Sequence, residues 1–299
     1  MRYPVMAAAF FAASACALGQ HVIVTAEGMH GAAPPDVSKD TVSVEVNRHP
    51  AAVESWVPLR GDQANLELYI VIDDGEDTNL GLQYESLKAF IEEQPATTKV
   101  GLAYLRNGEA NIVAPVTADR ESVAKAMRLP LGEAGIASSP YMGISDLIRK
   151  WPAADARREV LLISSGDDPW SVADPQNPYL LKAVADAQRA GILVHSIFYS
   201  QAGHAGHSYW LINWGQDYLS ELGELTGGEA YWQGDHNPVS FDPFLKDLAL
   251  QLKNQYLLTV MPNGDAPKAK PGLEPLRVSA HGSGASVHAP SQILMRPRN

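Results

Sequence analysis

The chain has 299 residues, 45% of them hydrophobic, enough to bury a full core as one large domain or one domain with additions. Acidic residues outnumber Lys plus Arg by 34 to 23, for a formal net charge of −11, and no basic run interleaved with aromatics occurs. The phosphate-neutralising surface that nucleic acid requires is missing, which excludes nucleic acid as an expected partner.

The chain opens with MRYPVMAAAFFAASACALGQ, in which Arg2 precedes a small apolar run from Val5 to Leu18 and Ala17 and Gly19 fill the positions a signal peptidase inspects. This pattern predicts an export signal over residues 1–19, cleaved after Gly19. The run falls short of the roughly 20 apolar residues that cross a bilayer, so no transmembrane segment is expected after its removal. Cys16 is the only cysteine. ASAC is a partial lipoprotein box with Ala13 where a larger aliphatic is usual, so lipid anchoring through Cys16 is a lesser alternative to release into the periplasm or outside. Cleavage after Gly19 leaves no thiol for disulfides, thiolate metal sites or a cysteine nucleophile.

A Gly/Pro-rich leader is followed by a segment in which Val42, Val44 and Val46 alternate with Ser43, Glu45 and Asn47, the pattern of a half-buried strand. LELYIVID, residues 66–73, is nearly continuous in apolar residues and suits a strand covered on both faces. In LQYESLKAFIEEQ, Leu82, Leu87, Phe90 and Ile91 recur at helical spacing. KVGLAYLR is a strand and NIVAPVT a further candidate. DRESVAKAMRL is a short helix capped by Asp119, and SSPYMGISDLIRKW a helix opened by Ser139 with Pro140 in its first turn. EVLLISS is a second buried strand, PYLLKAVADAQRAG a helix ended by Gly191, ILVHSIFYS a third buried strand, and GQDYLSELGELTGG a helix stopped by paired glycines. FDPFLKDLALQLKNQ is the last helix. Beyond Gln255 only short strand-like pieces separated by Pro/Gly turns remain. They are expected to pack on the edge of the main sheet beside the Val42 to Val46 strand.

Strands alternating with helices predict right-handed crossovers, a mainly parallel sheet and helices on both faces. The expected organisation is a signal over 1–19, a leader and flanking strand over 20–63, an α/β domain over 64–253 and a small β extension over 254–299.

Ligands in such folds sit at the carboxyl ends of the strands. Three loops are expected to converge there: IDDGEDTN, ASSPYMG and LISSGDDP. They offer Asp73, Asp77, Ser139, Ser164, Ser165, Asp167 and Asp168, hydroxyl and carboxylate oxygens that suit a hard divalent cation. Asp74, Glu76 and Asp168 are expected to be structural, because acidic loop residues are commonly solvated or cap the next helix.

In this layout the chain resembles the von Willebrand factor A domain over about residues 66 to 252, including ELTGGEAYW as the late helix, turn and final strand. The flanking strands, NQYLLTV and LRVSA among them, are similar to segments of bacterial exported proteins that carry such domains. The resemblance implies a three-layer, Rossmann-like fold, a protein partner, and a metal-ion-dependent adhesion site built from DxSxS, a threonine and a third-loop aspartate. Here Asp73 stands at the first aspartate, Gly75 and Asp77 at the two serines, Ser139 at the threonine and Ser165 at the third-loop aspartate. Gly75 supplies no ligand and Ser165 loses a charge, while Asp77 restores a carboxylate and Asp167 stands close by. The implied site is degenerate. Its remaining ligand set is Asp73, Asp77, Ser139 and Asp167, for Mg2+ or Mn2+ if the drifted site still binds one.

Aromatic residues suggest a partner-binding face. AGHAGHSYWLINW places Tyr209, Trp210 and Trp214 in a flexible loop after the third buried strand, and GDDPWSVADPQNPY places Trp170 in another long carboxyl-end insertion. Large rigid rings supply contact area at interfaces for little entropic cost. The bland alternative is that Trp210 and Trp214 close over the helix below. His204 and His207 are three apart but lack a further ligand, so an exposed loop with incidental histidines is the expectation. His195 is expected to be a core histidine with a satisfied ring.

Three functional readings follow. The first is a non-enzymatic, exported protein-binding domain. The second is a phosphatase: a strand ending in Asp73, a later LISS and then GDD resemble haloacid dehalogenase-like enzymes, whose first aspartate attacks phosphorus while a second, two positions on, serves as acid and base. Position 75 is glycine, and losing such a group removes a typical ~10²- to 10⁴-fold of rate. The third is a purely structural scaffold in the cell envelope. No GxSxG, GxGxxG or GxxxxGK[ST] occurs.

Overall fold

The computed structural model describes residues 20–28, 36–132, 139–171, 176–262, 272–282 and 284–295. The export signal with Cys16, much of the leader and most of the DAPKAKPG turn lie outside the described residues.

Chain order runs β1 (Gln20–Gly28), β2 (Val42–Val46), β3 (His49–Pro58), β4 (Leu66–Asp73), α1 (Tyr84–Glu92), β5 (Thr98–Arg106), β6 (Glu109–Thr117), α2 (Arg120–Lys125), α3 (Pro140–Lys150), β7 (Arg157–Ser164), α4 (Pro178–Ala190), β8 (Ile192–Phe198), α5 (Tyr209–Thr226), β9 (Ala230–Tyr231), α6 (Asp242–Lys253), β10 (Gln255–Pro262), β11 (Gly272–Ala280), β12 (Ala285–His288) and β13 (Gln292–Met295). These strands form two sheets.

The first sheet has the order β6-β5-β4-β7-β8-β9, and its neighbours are parallel except β5 and β6. Strand β4 is buried along its whole length, as an apolar strand between two helical layers must be. Leu66, Leu68, Ile70 and Ile72 pack with α1, α2 and α6 on one face. Tyr69 and Val71 pack with α3, α4 and α5 on the other. Counted within this sheet the order is 3-2-1-4-5-6, so the direction of winding reverses between β4 and β7. Strand β6 runs antiparallel because Asn107 and Gly108, at φ 53° and 70°, make a two-residue hairpin joining Arg106 to Glu109.

The terminal segments depart from expectation. They do not add to the edge of the main sheet as a small extension. They build a separate seven-stranded sheet, β12-β1-β10-β3-β2-β11-β13, in which every pair is antiparallel. Strands from both ends of the chain interleave, and Val22, Val24, Val44, Val46, Leu258, Val260, Leu276, Ile293 and Met295 form its own apolar cluster. Together the seven strands are ample to hold such a cluster. The sheet joins the α/β layer through backbone bonds, Ala26 N to Asn254 O at the end of α6 at 2.9 Å and Ser291 N to Leu225 O in α5 at 3.0 Å.

Candidate functional site

The crevice where the winding reverses lies between the carboxyl ends of β4 and β7, and there the sequence supplies Asp73, Ser164 and Ser165. Asp73 is buried; its Oδ1 accepts from Gly75 N at 3.0 Å and its Oδ2 from Ser164 Oγ at 3.2 Å. Ser164 Oγ also accepts from Gly166 N at 3.1 Å, which closes the turn after β7. Burial raises the Asp73 carboxyl to about 6, with help from the charges of Asp74 and Asp167 and against the pull of the Gly75 and Ser164 hydrogen bonds.

The centre of the crevice is taken by a residue that sequence reasoning set aside. Glu76 is fully buried, its Oε1 accepts from Ser165 N at 2.6 Å, and its Oε2 has no hydrogen-bond partner. Desolvation, then the Asp73 charge, hold its carboxyl well above the usual range. The connection after β8 seals it in. Asp77 N donates to Ser200 O at 3.1 Å, Ala202 N donates to Gly75 O at 3.0 Å, and Glu76 bridges Gln201 in antiparallel fashion.

The other predicted ligands are engaged elsewhere. Asp77 accepts from Asn79 N at 2.8 Å and caps the short turn that follows. Ser139 caps α3 and donates its hydroxyl to Asp168 Oδ2 at 2.7 Å. Asp168 also accepts from Asn177 Nδ2 and Trp170 N, both at 3.0 Å, so it ties α3, the loop after β7 and the start of α4 into one knot. Asp167 accepts from Gln201 Nε2 at 2.7 Å, and burial raises its carboxyl. Asp74 is buried in a two-bond clamp with Arg128 at 2.6 and 2.7 Å, and Arg128 lies 3.8 Å over the Tyr104 ring. Asp74, Glu76 and Asp168 are buried and bonded within the fold rather than solvated.

As folded, these residues do not fit a divalent adhesion cation. Such an ion needs several oxygens turned to one point, whereas Asp73, Asp77, Ser139 and Asp167 each face a different intramolecular donor or acceptor. The space beside Ser165 and Asp167 measures about 10 Å³, room for about one water. Glu76 stands where sequence spacing offered Gly75 and Asp77, and the neighbouring DDGED carboxylates gave no sign of which one would turn inward.

Two glycines hold α5 against this crevice. A side chain on Gly215 would collide with the Ser165 carbonyl, and one on Gly166, at φ +70°, with the Gly215 carbonyl. Helix α5 begins six residues earlier than the sequence pattern suggests, because Ser208 caps it by accepting from Leu211 N at 3.4 Å. Tyr209, Trp210 and Trp214 therefore sit on a helix and not in a flexible loop. Trp214 is half-buried against Tyr218, whereas Tyr209 and Trp210 are 68% and 53% exposed. Trp170 is 40% exposed and meets Tyr179 edge to face at 6.0 Å. His204 and His207 are exposed. His195 is buried, with Nε2 at 2.9 Å from Glu159 Oε2 and Nδ1 accepting from Glu229 N at 3.1 Å.

The fold is thus an open α/β sheet wound in this order, with a closed acidic crevice at its switch point. Solved von Willebrand factor A domains are similar in fold. The conserved hypothetical protein BatB from Bacteroides thetaiotaomicron is 15% identical at a TM-score of 0.47, covering 63% of this chain and 97% of that one. A von Willebrand factor type A protein from Catenulispora acidiphila is 11% identical at a TM-score of 0.46, covering 92% and 74%. An aerotolerance-related membrane protein from Bacteroides fragilis is 15% identical at a TM-score of 0.43, covering 63% and 98%. No protein-family profile matches the sequence, and no curated protein matches it. The architecture therefore rests on the strand order and register themselves.

Proposed function

We propose that this chain is an exported, non-enzymatic binding domain that recognises a protein partner with the loops at the carboxyl edge of its α/β sheet, without a bridging cation. One observation carries the reading. Among the described residues, every exposed large hydrophobic except Val113 lies on a segment at that edge: Leu82, Leu129, Leu131, Trp170, Leu181, Tyr209, Trp210, Trp232 and Val239. Apolar side chains left in water on one edge mark an interaction surface more often than a packing failure. The rings of Trp170, Tyr209 and Trp210 are of the kind that anchor interfaces. Export rests on the N-terminal sequence alone.

Against the phosphatase reading, Asp73 has both oxygens bonded inside the fold, and position 75 has no carboxylate to protonate a leaving group. The test is capture from an exported-protein fraction by the immobilised domain. Trp210→Ser combined with Tyr209→Ser is expected to lose a partner that Val113→Ser retains. Equal capture by both variants contradicts the proposal, as does magnesium-dependent hydrolysis of a phosphate ester that Asp73→Asn abolishes.

A further inference from the structure

A second group of ligating side chains lies away from the crevice, where the two sheets meet. In the β1/β12 ladder Glu27 faces Ser286 and Thr25 faces His288, so Glu27 and His288 share a face as diagonal neighbours. His288 Nε2 lies 3.1 Å from Glu27 Oε2. A third arm, Glu229, comes from the other sheet. Its backbone N donates to His195 Nδ1 and its carbonyl accepts from Ser196 N at 2.8 Å, which fixes it to β8.

The loop bearing Glu229 is wedged in place. Gly227 ends α5 at φ +83°, and a side chain there would strike Pro290, two residues beyond His288. One on Gly228 would strike the Val194 carbonyl. The bond from Ser291 N to Leu225 O ties the histidine segment to the end of the same helix. Residues far apart in sequence are thereby held together by backbone register, independent of any attraction between their side chains.

One ligand atom each from Glu27, Glu229 and His288 lies within 4.8 Å of the other two, the one such group of three His, Cys, Asp or Glu residues among the described residues. We infer that Glu27, Glu229 and His288 form a site for a borderline divalent transition metal of the zinc class, bridging the terminal sheet to the α/β domain. One imidazole nitrogen and two carboxylate oxygens are a zinc-type ligand set with a fourth position left to water. Magnesium or calcium would want more oxygens and no nitrogen. Tetrahedral zinc at its usual bond lengths needs ligand atoms about 3.4 Å apart, a closure within reach of two glutamate side chains that are only half-buried.

Carboxylates gather around the site: Glu224 and Asp247 lie near the two glutamate arms. A divalent ion held between Glu27 and Glu229 would offset the repulsion between those two carboxylates.

Calorimetric titration of zinc into metal-stripped protein, followed with cobalt as a spectroscopic stand-in, tests the assignment. The expected result is one saturable site per chain, weakened at least about tenfold by His288→Ala and by Glu229→Gln, and unchanged by His204→Ala with His207→Ala. His288 is exposed enough that its alanine variant folds, which a circular dichroism spectrum like that of the unsubstituted protein would verify. Absence of a saturable zinc heat overturns the inference. So does a zinc heat that both site variants leave intact.

Discussion

Asp73 is the residue on which the two readings of the crevice divide. A carboxyl at about 6 in the folded state, against 3.8 without burial, makes ionisation costlier in the folded chain than in the unfolded one. The sign follows. The unfolded state releases this proton first, so this group's contribution falls as pH rises from about 4 to about 6 and stays unfavourable above. Asp73→Asn keeps the shape and removes the charge. It is expected to raise stability near pH 7.5 by up to about 3 kcal/mol, the gain shrinking as pH falls toward 4, read as urea midpoints at several pH values. A loss of stability at neutral pH would show that the charge is wanted there. That Asp73 ends a buried strand was legible from LELYIVID alone. That Glu76 fills the crevice was not, because its burial depends on Gln201 and Ala202 crossing over from another connection, a pairing that local sequence does not encode.

Elements were legible where local chemistry decides them. Asp119 and Ser139 cap the helices they were expected to cap, and Gly191 ends α4 in the left-handed region at φ 65°. Strand β6 was read only as a candidate, with no direction assigned, although Asn107-Gly108 is a strong hairpin signal. Helix α5 was cut short because Ser208 stands after a Gly/His segment that reads as loop. Its seating on the β7 turn gives a test. Gly215→Ala places a methyl against the Ser165 carbonyl and is expected to cost about 2 kcal/mol or more in a denaturant titration, with loss of the fixed Trp214 environment in near-UV circular dichroism. Gly191→Ala meets open space and bears only the left-handed backbone penalty of about 1 kcal/mol. If the two variants are equally stable, α5 is not held by that close approach.

At the scale of the molecule, the α/β layer was readable because its strands are long, apolar and separated by helices. The terminal sheet was not. Four of its six pairings join strands from opposite ends of the chain, and register between such strands is set by tertiary packing. The loop positions that resemble an adhesion site were equally visible, yet position alone does not say where an oxygen points. In the folded chain the oxygens of Asp73, Asp77, Ser139 and Asp167 bond to other groups within the fold, and the edge around them carries the exposed aromatic and aliphatic side chains. On the proposed function, recognition at this edge needs no ion. Calorimetric titration of magnesium into metal-stripped protein is the most direct measurement of that claim. The unsubstituted chain and its Asp73→Ala variant are expected to give the same trace, without a saturable site between them; a saturable heat that Asp73→Ala abolishes and His288→Ala leaves intact would contradict it.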